Sequence, residues 1–344
     1  MLELSSKTFQ TIEYRAPSNI AFIKYWGKYG RQYPMNPSLS MSLSNCYTQT
    51  KINYIADSKS PGLKNLKFEN KPNELFFKKI KKFTESIIDI LPTLKTLEFE
   101  IESYNSFPHS TGIASSASSM AALACCLVEV ELGKSSGDDF DKLASIVARL
   151  GSGSACRSIF DDYAHWGETK TGSGSNEYAI ELKEYHENFK HINDAILIVS
   201  SDEKSVSSTQ GHSLMNTHLY REVREFQANE NYRTLLNAMI NGDFKCFGEI
   251  LENEALSLHA LMMTSYPSFI LLTPKSLELI ELIRSFRAKT NLNLYFTIDA
   301  GPNIHLIYPD TDKLRVEEFI KSQCEGICEK IIFDKKGDGA TKIS

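Results

Sequence analysis

Basic charge is in short supply in this chain. Its 38 Lys and Arg are outnumbered by 43 Asp and Glu, for a formal net charge of −5, which argues against a general nucleic-acid binder. Any anionic ligand must be met by a local cluster of cations and N–H donors. Long hydrophobic runs are also lacking. No apolar stretch reads as membrane-spanning, and the opening Met1-Leu2-Glu3-Leu4-Ser5-Ser6-Lys7 has no apolar h-region, so a cytoplasmic protein with no membrane partner is expected. Cysteine is sparse and odd in number, with Cys46, Cys125, Cys126, Cys156, Cys246, Cys324 and Cys328 scattered through the chain, which suits reduced structural thiols rather than a disulfide framework. Cys324 and Cys328 would share a helix face, but no second pair or histidine cluster completes a metal site. Internal repeats are absent, as are both common glycine-rich phosphate signatures, Gly-x-x-x-x-Gly-Lys-Ser/Thr and Gly-x-Gly-x-x-Gly.

What is present is an ordinary globular composition, 42% apolar and 24% charged, in 344 residues, enough for two domains. Residues 12–24 read as extended, with Ile20-Ala21-Phe22-Ile23 ending at Lys24, and strand-like alternation resumes over 40–54. Residues 58–73 read as a loop or hairpin. Phe76, Ile80, Phe83, Ile87 and Ile90 give residues 75–91 a helical period, with a solvated lysine face between them. A strand over 97–103, a helix over 138–149 and a strand over 176–182 follow, and polar residues 183–190 suggest a boundary between domains 1–187 and 188–344. The second half reads as a strand (195–200), a polar loop (205–212), helices over 214–229, 232–241, 243–263 and 275–290, strands over 292–298 and 304–308, a helix over 311–323 and a strand over 330–333. Short strand pairs outnumber βαβ units, so the expected class is α+β.

One stretch stands out: Pro108-His109-Ser110-Thr111-Gly112-Ile113-Ala114-Ser115-Ser116-Ala117-Ser118 runs directly into an Ala-rich apolar segment. Gly112 lets the backbone approach a ligand, Ser115 and Ser116 supply hydroxyls, and the free N–H groups of a helix start suit a phosphate. Taken alone, the stretch is equally an ordinary capped core helix.

Four stretches together carry a resemblance. They are Asn19-Ile20-Ala21-Phe22-Ile23-Lys24-Tyr25-Trp26-Gly27-Lys28, the loop over 107–117, Gly151-Ser152-Gly153-Ser154-Ala155-Cys156-Arg157-Ser158, and Thr297-Ile298-Asp299-Ala300-Gly301-Pro302-Asn303. The chain resembles the GHMP kinase superfamily and, within it, the mevalonate diphosphate decarboxylases. The second stretch is shared widely in the superfamily and speaks for ATP; the other three are more selective. The resemblance implies a two-domain α+β GHMP kinase fold, with an N-terminal ribosomal-protein-like domain, a C-terminal ferredoxin-like α/β sandwich and an active site in the cleft between them. It further implies ATP-dependent decarboxylation of mevalonate 5-diphosphate to isopentenyl diphosphate, with ATP and Mg2+ as cosubstrates and a homodimer as the assembly.

Carried over residue by residue, the resemblance makes Asp299, Arg157 and Lys24 the catalytic group. It assigns Tyr25, Lys28, Ser152, Ser154 and Ser208 to the substrate, and Asn105, Ser110, Gly112, Ala114, Ser115 and Ser116 to ATP, with Mg2+ held by the ATP phosphates and Ser116. The chemistry of the residues agrees. A tertiary alcohol is a poor nucleophile and wants a carboxylate beside it, and a tight strand-ending turn would aim Asp299 into a cleft. An Asx-turn cap is the plainer reading of an Asp before Ala-Gly-Pro. Arg157, set among serines, offers a planar fork for a substrate carboxylate; its plainer reading is a surface ion pair. Asp161 and Asp162 are awkward near a polyanion unless they face solvent or metal, and Thr209 follows Ser208 where some relatives carry a basic residue. Decarboxylation of mevalonate 5-phosphate, a kinase that stops at the 3-phosphate, and a ligand sensor without catalysis remain alternatives on the same scaffold.

Overall fold

The structure is a computed structural model that describes residues 9–107, 113, 115–170, 172–201 and 208–344. The first half is built on an eight-stranded sheet whose backbone is two long antiparallel strands, Gln10–Ile23 and Ser38–Ile55. Outward from Ser38–Ile55 lie Glu98–Asn105, then Gly62–Phe68 in a parallel pairing, then Lys71–Pro72. Tyr163–Trp166 pairs with the start of Ser38–Ile55, and Ile180–Glu181 pairs with it in turn. On the other edge Thr341–Lys342 returns to pair with Gln10–Ile23, at Tyr14 and Arg15. One face of the sheet is covered by helices Ser115–Leu132, Asp138–Gly151 and Glu74–Ser86, through a core that includes Ile52, Phe99, Ile80, Leu123 and Val147.

Ser115–Leu132 corrects one expectation. At 18 residues it is long and apolar enough, by length and composition, to cross a membrane. Instead it is buried on nearly every side, with Ala121 through Val128 enclosed between sheet and helix, which is why its sequence lacks a polar face.

The second half holds a four-stranded antiparallel sheet in the order Tyr295–Thr297, Ile304–Pro309, Ile192–Ile198, Lys330–Lys335. Ile192–Ile198 is buried along its whole length, and its apolar run Ala195-Ile196-Leu197-Ile198 reflects burial on both faces. Ile192, Ile196 and Ile198 pack toward helices Arg221–Asn241 and Phe244–Met263 and on to Ile20, Phe22 and Ile23 of the first strand. Ala195 and Leu197 pack toward helices Pro274–Thr290 and Lys313–Phe319. The first strand therefore belongs to two cores. Ile12, Tyr14 and Ala16 serve the first, and Ile20 to Ile23 serve the one shared with the second half.

Differences from expectation have local causes. Residues 221–241 form one helix rather than two, because the polar run at 229–231 finds partners: Asn231 Nδ2 donates to Glu254 Oε1 (2.7 Å) and Asn229 Oδ1 accepts from the Lys170 N–H (3.2 Å). The polar loop expected over 205–212 is helical from Ser208 to Leu214. The first helix stops at Ser86, with Ile87 turning back onto Thr84.

Candidate active site

Lys24 is the first residue beyond the pairing of the opening strand, whose last partner is Ile23 with Leu39. Its Nζ donates to the Ala21 carbonyl at 2.8 Å and to Asp299 Oδ1 at 2.6 Å. The lysine side chain is 2% exposed and that of Asp299 31%, so the pair is sealed on the cationic side and open on the carboxylate side. Burial lowers the Lys24 pKa, while the charges of Asp299 and Glu254 act against that. Asp299 sits where Tyr295–Thr297 ends, and the Asn303 side chain fixes the far side of that turn by accepting from the N–H groups of Val199 (2.7 Å) and Ser200 (3.1 Å).

Arg157 lies in the tight helical turn Gly153–Ile159 and is buried. Its Nε and Nη2 donate to Asn19 Oδ1 at 3.4 and 3.3 Å, and Nη1 donates to the Ser38 hydroxyl. Among the described residues it forms no ion pair; every acceptor at hydrogen-bond distance is neutral. Burial lowers its pKa, and the more distant charge of Asp299 counters this. Asn19 is itself held, its Nδ2 donating to Ser158 Oγ (2.8 Å) and the Ser154 carbonyl (3.2 Å).

Tyr25 follows Lys24 and lies between the tilted rings of Trp166 and His212, with ring centroids 4.7 and 4.3 Å away. Its hydroxyl is buried and has no hydrogen-bond partner among the described residues. Gly153 makes room for it: a Cβ there would stand 2.7 Å from that hydroxyl. His212 Nδ1 accepts from the Gly27 N–H at 3.0 Å, and burial, with the Lys28 charge adding, pushes its pKa down to about 3. Trp26 packs against Met215, Leu258 and Met262. Lys28 reaches Gln32 Oε1 (2.8 Å) at the edge of a cleft of about 870 Å³ lined also by Arg31, Ser213 and Asn216.

Ser116, in the first turn of Ser115–Leu132, has its hydroxyl 3.4 Å from that of Ser152 at the end of Asp138–Gly151, so two elements converge on one point with two hydroxyls and a helix N-terminus. Asn105 is turned inward, its Oδ1 accepting from Thr48 Oγ1 (2.7 Å), which also meets Ser118 Oγ (2.6 Å). Ser110, Gly112 and Ala114 lie outside the described residues, as does the side chain of Ser208. Among the described residues no group of three or more His, Cys, Asp or Glu could hold a metal.

With this geometry in place, the comparisons are specific. Residues 16–179 match the diphosphomevalonate decarboxylase-like N-terminal domain and residues 195–340 the mevalonate 5-diphosphate decarboxylase C-terminal domain. The chain belongs to the mevalonate diphosphate decarboxylase family. It is 30% identical to the diphosphomevalonate decarboxylase of Saccharomyces cerevisiae over 91% of this chain and 81% of that one. The mevalonate diphosphate decarboxylase of Staphylococcus aureus superposes with a TM-score of 0.85 at 30% identity, covering 98% of both chains. MDDEF, solved in complex with MVAPP, AMPPCP and magnesium, has a TM-score of 0.83 at 31% identity, covering 98% of this chain and 99% of that one. The two-domain α+β GHMP kinase fold expected from the sequence is the fold of this family member.

In this mevalonate diphosphate decarboxylase relative, the two awkward carboxylates are structural. Asp161 accepts from the Gly339 N–H at 2.6 Å, and Asp162 accepts from the Tyr185 hydroxyl and pairs with Lys336 at 2.7 Å, tying the C-terminal segment to the first domain. Sequence reasoning missed Asn19 and Ser38 as holders of Arg157, His212 as the prop of Tyr25, and Arg224, Glu254 and His259 around Lys24 and Asp299. Asn19 opens the motif stretch that ends at Lys28. The last three are spaced like any helix residues, and only the fold brings them to the site.

Proposed function

We propose that this enzyme catalyses the ATP-dependent decarboxylation of mevalonate 5-diphosphate to isopentenyl diphosphate, releasing ADP, phosphate and CO2. The observation that carries the reading is Arg157: a buried guanidinium without a carboxylate partner among the described residues, beside a Lys24–Asp299 pair that opens outward. A buried charge without a counter-ion is costly, and an anionic substrate supplies the missing one.

In the first step the substrate 3-hydroxyl oxygen attacks the γ-phosphorus of ATP and the bond to ADP breaks, with Asp299 taking or holding the hydroxyl proton and Lys24 fixing the carboxylate's position. In the second, the C–O bond to the new phosphate breaks, positive character builds on the tertiary carbon, and the electrons of the carboxylate C–C bond form the alkene as CO2 departs. Asp299 faces the developing positive charge, and Arg157 holds the substrate carboxylate aligned. Tyr25, Lys28, Ser152, Ser154 and Ser208 bind the remainder of the substrate. Asn105, Ser110, Gly112, Ala114, Ser115 and Ser116 bind ATP. The donor set at Ser116 and Ser152, hydroxyls without a carboxylate cluster, fits an Mg2+ that arrives on the ATP phosphates and keeps several waters, and such an ion would neutralise charge on the transferring phosphoryl group.

The same reading divides the chain at 187/188, places it in the cytoplasm and makes it a homodimer, for which the exposed Leu219, Val223 and Phe226 offer an apolar face. Size-exclusion chromatography with light scattering tests the dimer. The decisive assay supplies mevalonate 5-diphosphate or the monophosphate with ATP and follows phosphate, CO2 and isopentenyl diphosphate together. Phosphate transfer without CO2 release, or preference for the monophosphate, would overturn the assignment.

A further inference from the structure

Beyond its pairing with Ile23, the opening strand leaves the N–H and C=O of Lys24 buried and outside any ladder, where each must find a partner. For each, a partner comes from the other half of the chain. Glu254 Oε2 accepts from the Lys24 N–H at 2.9 Å, and Arg224 Nη2 donates to the Lys24 carbonyl at 3.0 Å, joined there by Asn36 Nδ2 at 3.0 Å. Arg224 and Glu254 are bound to each other through two contacts of 2.7 Å and are 2% and 0% exposed, so neither can swing away to solvent. On the same helix as Glu254, Phe244–Met263, His259 Nε2 lies 3.1 Å from the Asp299 carbonyl; a carbonyl only accepts, so Nε2 carries the proton. One helix thus holds Lys24 by its amide and Asp299 by its carbonyl, on either side of their 2.6 Å contact.

We infer that Arg224, Glu254 and His259 are positioning residues for the reaction: a rigid base that sets the Lys24–Asp299 geometry from beneath without touching substrate. The inference rests on the functional reading above, in which that pair faces the reacting hydroxyl.

Arg224→Lys is the informative variant. A lysine there still pairs with Glu254, so the fold keeps its buried charge balance, but one ammonium on a shorter stem replaces the two-nitrogen fork that fixes both Glu254 oxygens and the Lys24 carbonyl in one plane. His259→Ala and His259→Gln form a second series, since the glutamine amide restores a donor. Each variant is assayed below its own melting midpoint, beside Asp299→Asn. The expected result is a kcat lowered about 10- to 100-fold with KM for both substrates within about 3-fold, the signature of misplaced reacting groups, and a partial return of kcat in His259→Gln over His259→Ala. If Arg224→Lys and both His259 variants melt earlier yet keep full kcat, the three residues support only the fold and the inference falls. If Asp299→Asn itself turns over normally, the site assignment fails instead, and the two outcomes are separable.

Discussion

Arg157 and Arg224 are equally hidden, each 2% exposed, and both act on Lys24, Arg224 through a hydrogen bond to its carbonyl and Arg157 through its charge. Arg224 spends its charge inside the protein, on Glu254 and the Lys24 carbonyl. Arg157 gives its hydrogen bonds to an amide oxygen and a hydroxyl and, among the described residues, meets no carboxylate at close range. Burial lowers the Arg157 pKa. It pushes the Glu254 carboxyl up, but the Arg224 charge and hydrogen bonds outweigh it and hold Glu254 below the usual carboxylate range. The contrast separates two settings for a buried arginine: one is paired inside the fold, and the other meets only neutral acceptors among the described residues, the setting on which its proposed role toward a substrate carboxylate rests.

The largest effect tests what the two arginines serve. Asp299→Asn keeps the shape of the turn and removes the carboxylate, so turnover should fall by roughly three orders of magnitude or more, with substrate binding by calorimetry changed little. Substantial remaining turnover would remove the reason for comparing the arginines at all.

The comparison itself is broken or kept by neutralising each arginine in turn. Arg224→Gln leaves Glu254 charged in the interior without its arginine counter-ion and should cost about 3–5 kcal/mol in urea unfolding. Arg157→Gln leaves no charge orphaned, so stability should hold or rise, while kcat/KM should drop by about 100-fold or more because the substrate carboxylate loses its fork. Equal destabilisation by the two variants would erase the distinction drawn between them.

Sequence reading reached one arginine and not the other for a physical reason. Arg157 lies in Gly151-Ser152-Gly153-Ser154-Ala155-Cys156-Arg157-Ser158, where small residues and a tight turn announce close approach to a ligand, and Asp299 lies in a turn whose composition is equally marked. Arg224 and Glu254 sit in helices whose period says only that one face is buried; that they meet depends on how Arg221–Asn241 crosses Phe244–Met263. The same dependence on tertiary partners explains why the Asn229-Glu230-Asn231 run reads as a helix break and is not one. Tyr163–Trp166 was missed because its strand character comes from the edge of Ser38–Ile55 that it completes.

A proton can report on Arg157 without catalysis. His165 Nδ1 is 2.7 Å from the Tyr232 hydroxyl, and burial first, with the Arg157 charge second, pushes its pKa down to about 4. The unfolded imidazole takes its proton near pH 6.5 and the folded one only near 4, so the unfolded state binds more protons in that window and stability falls as pH drops through it. Between pH 6.5 and 5 the loss for this group is about 2 kcal/mol, which His165→Gln should remove from the pH dependence of unfolding. In Arg157→Gln, NMR titration should show the His165 pKa moved upward. An unmoved value would mean that the Arg157 charge is already compensated.

The smallest effect belongs to an arginine at the surface. Arg31 pairs with Asp89 at 2.9 Å, but their side chains are 49% and 61% exposed, on the rim of the cleft beside Lys28. Water and salt already screen both charges, so Arg31→Gln should leave the thermal midpoint within about 1 °C of the parent and the unfolding curve unchanged between low and moderate salt. A clear loss of kcat/KM with stability untouched would mean that the cleft draws on Arg31 for ligand charge as well. The contrast between spent and reserved arginines would then extend from the buried site to its entrance, with an exposed pair standing on the reserved side despite its carboxylate.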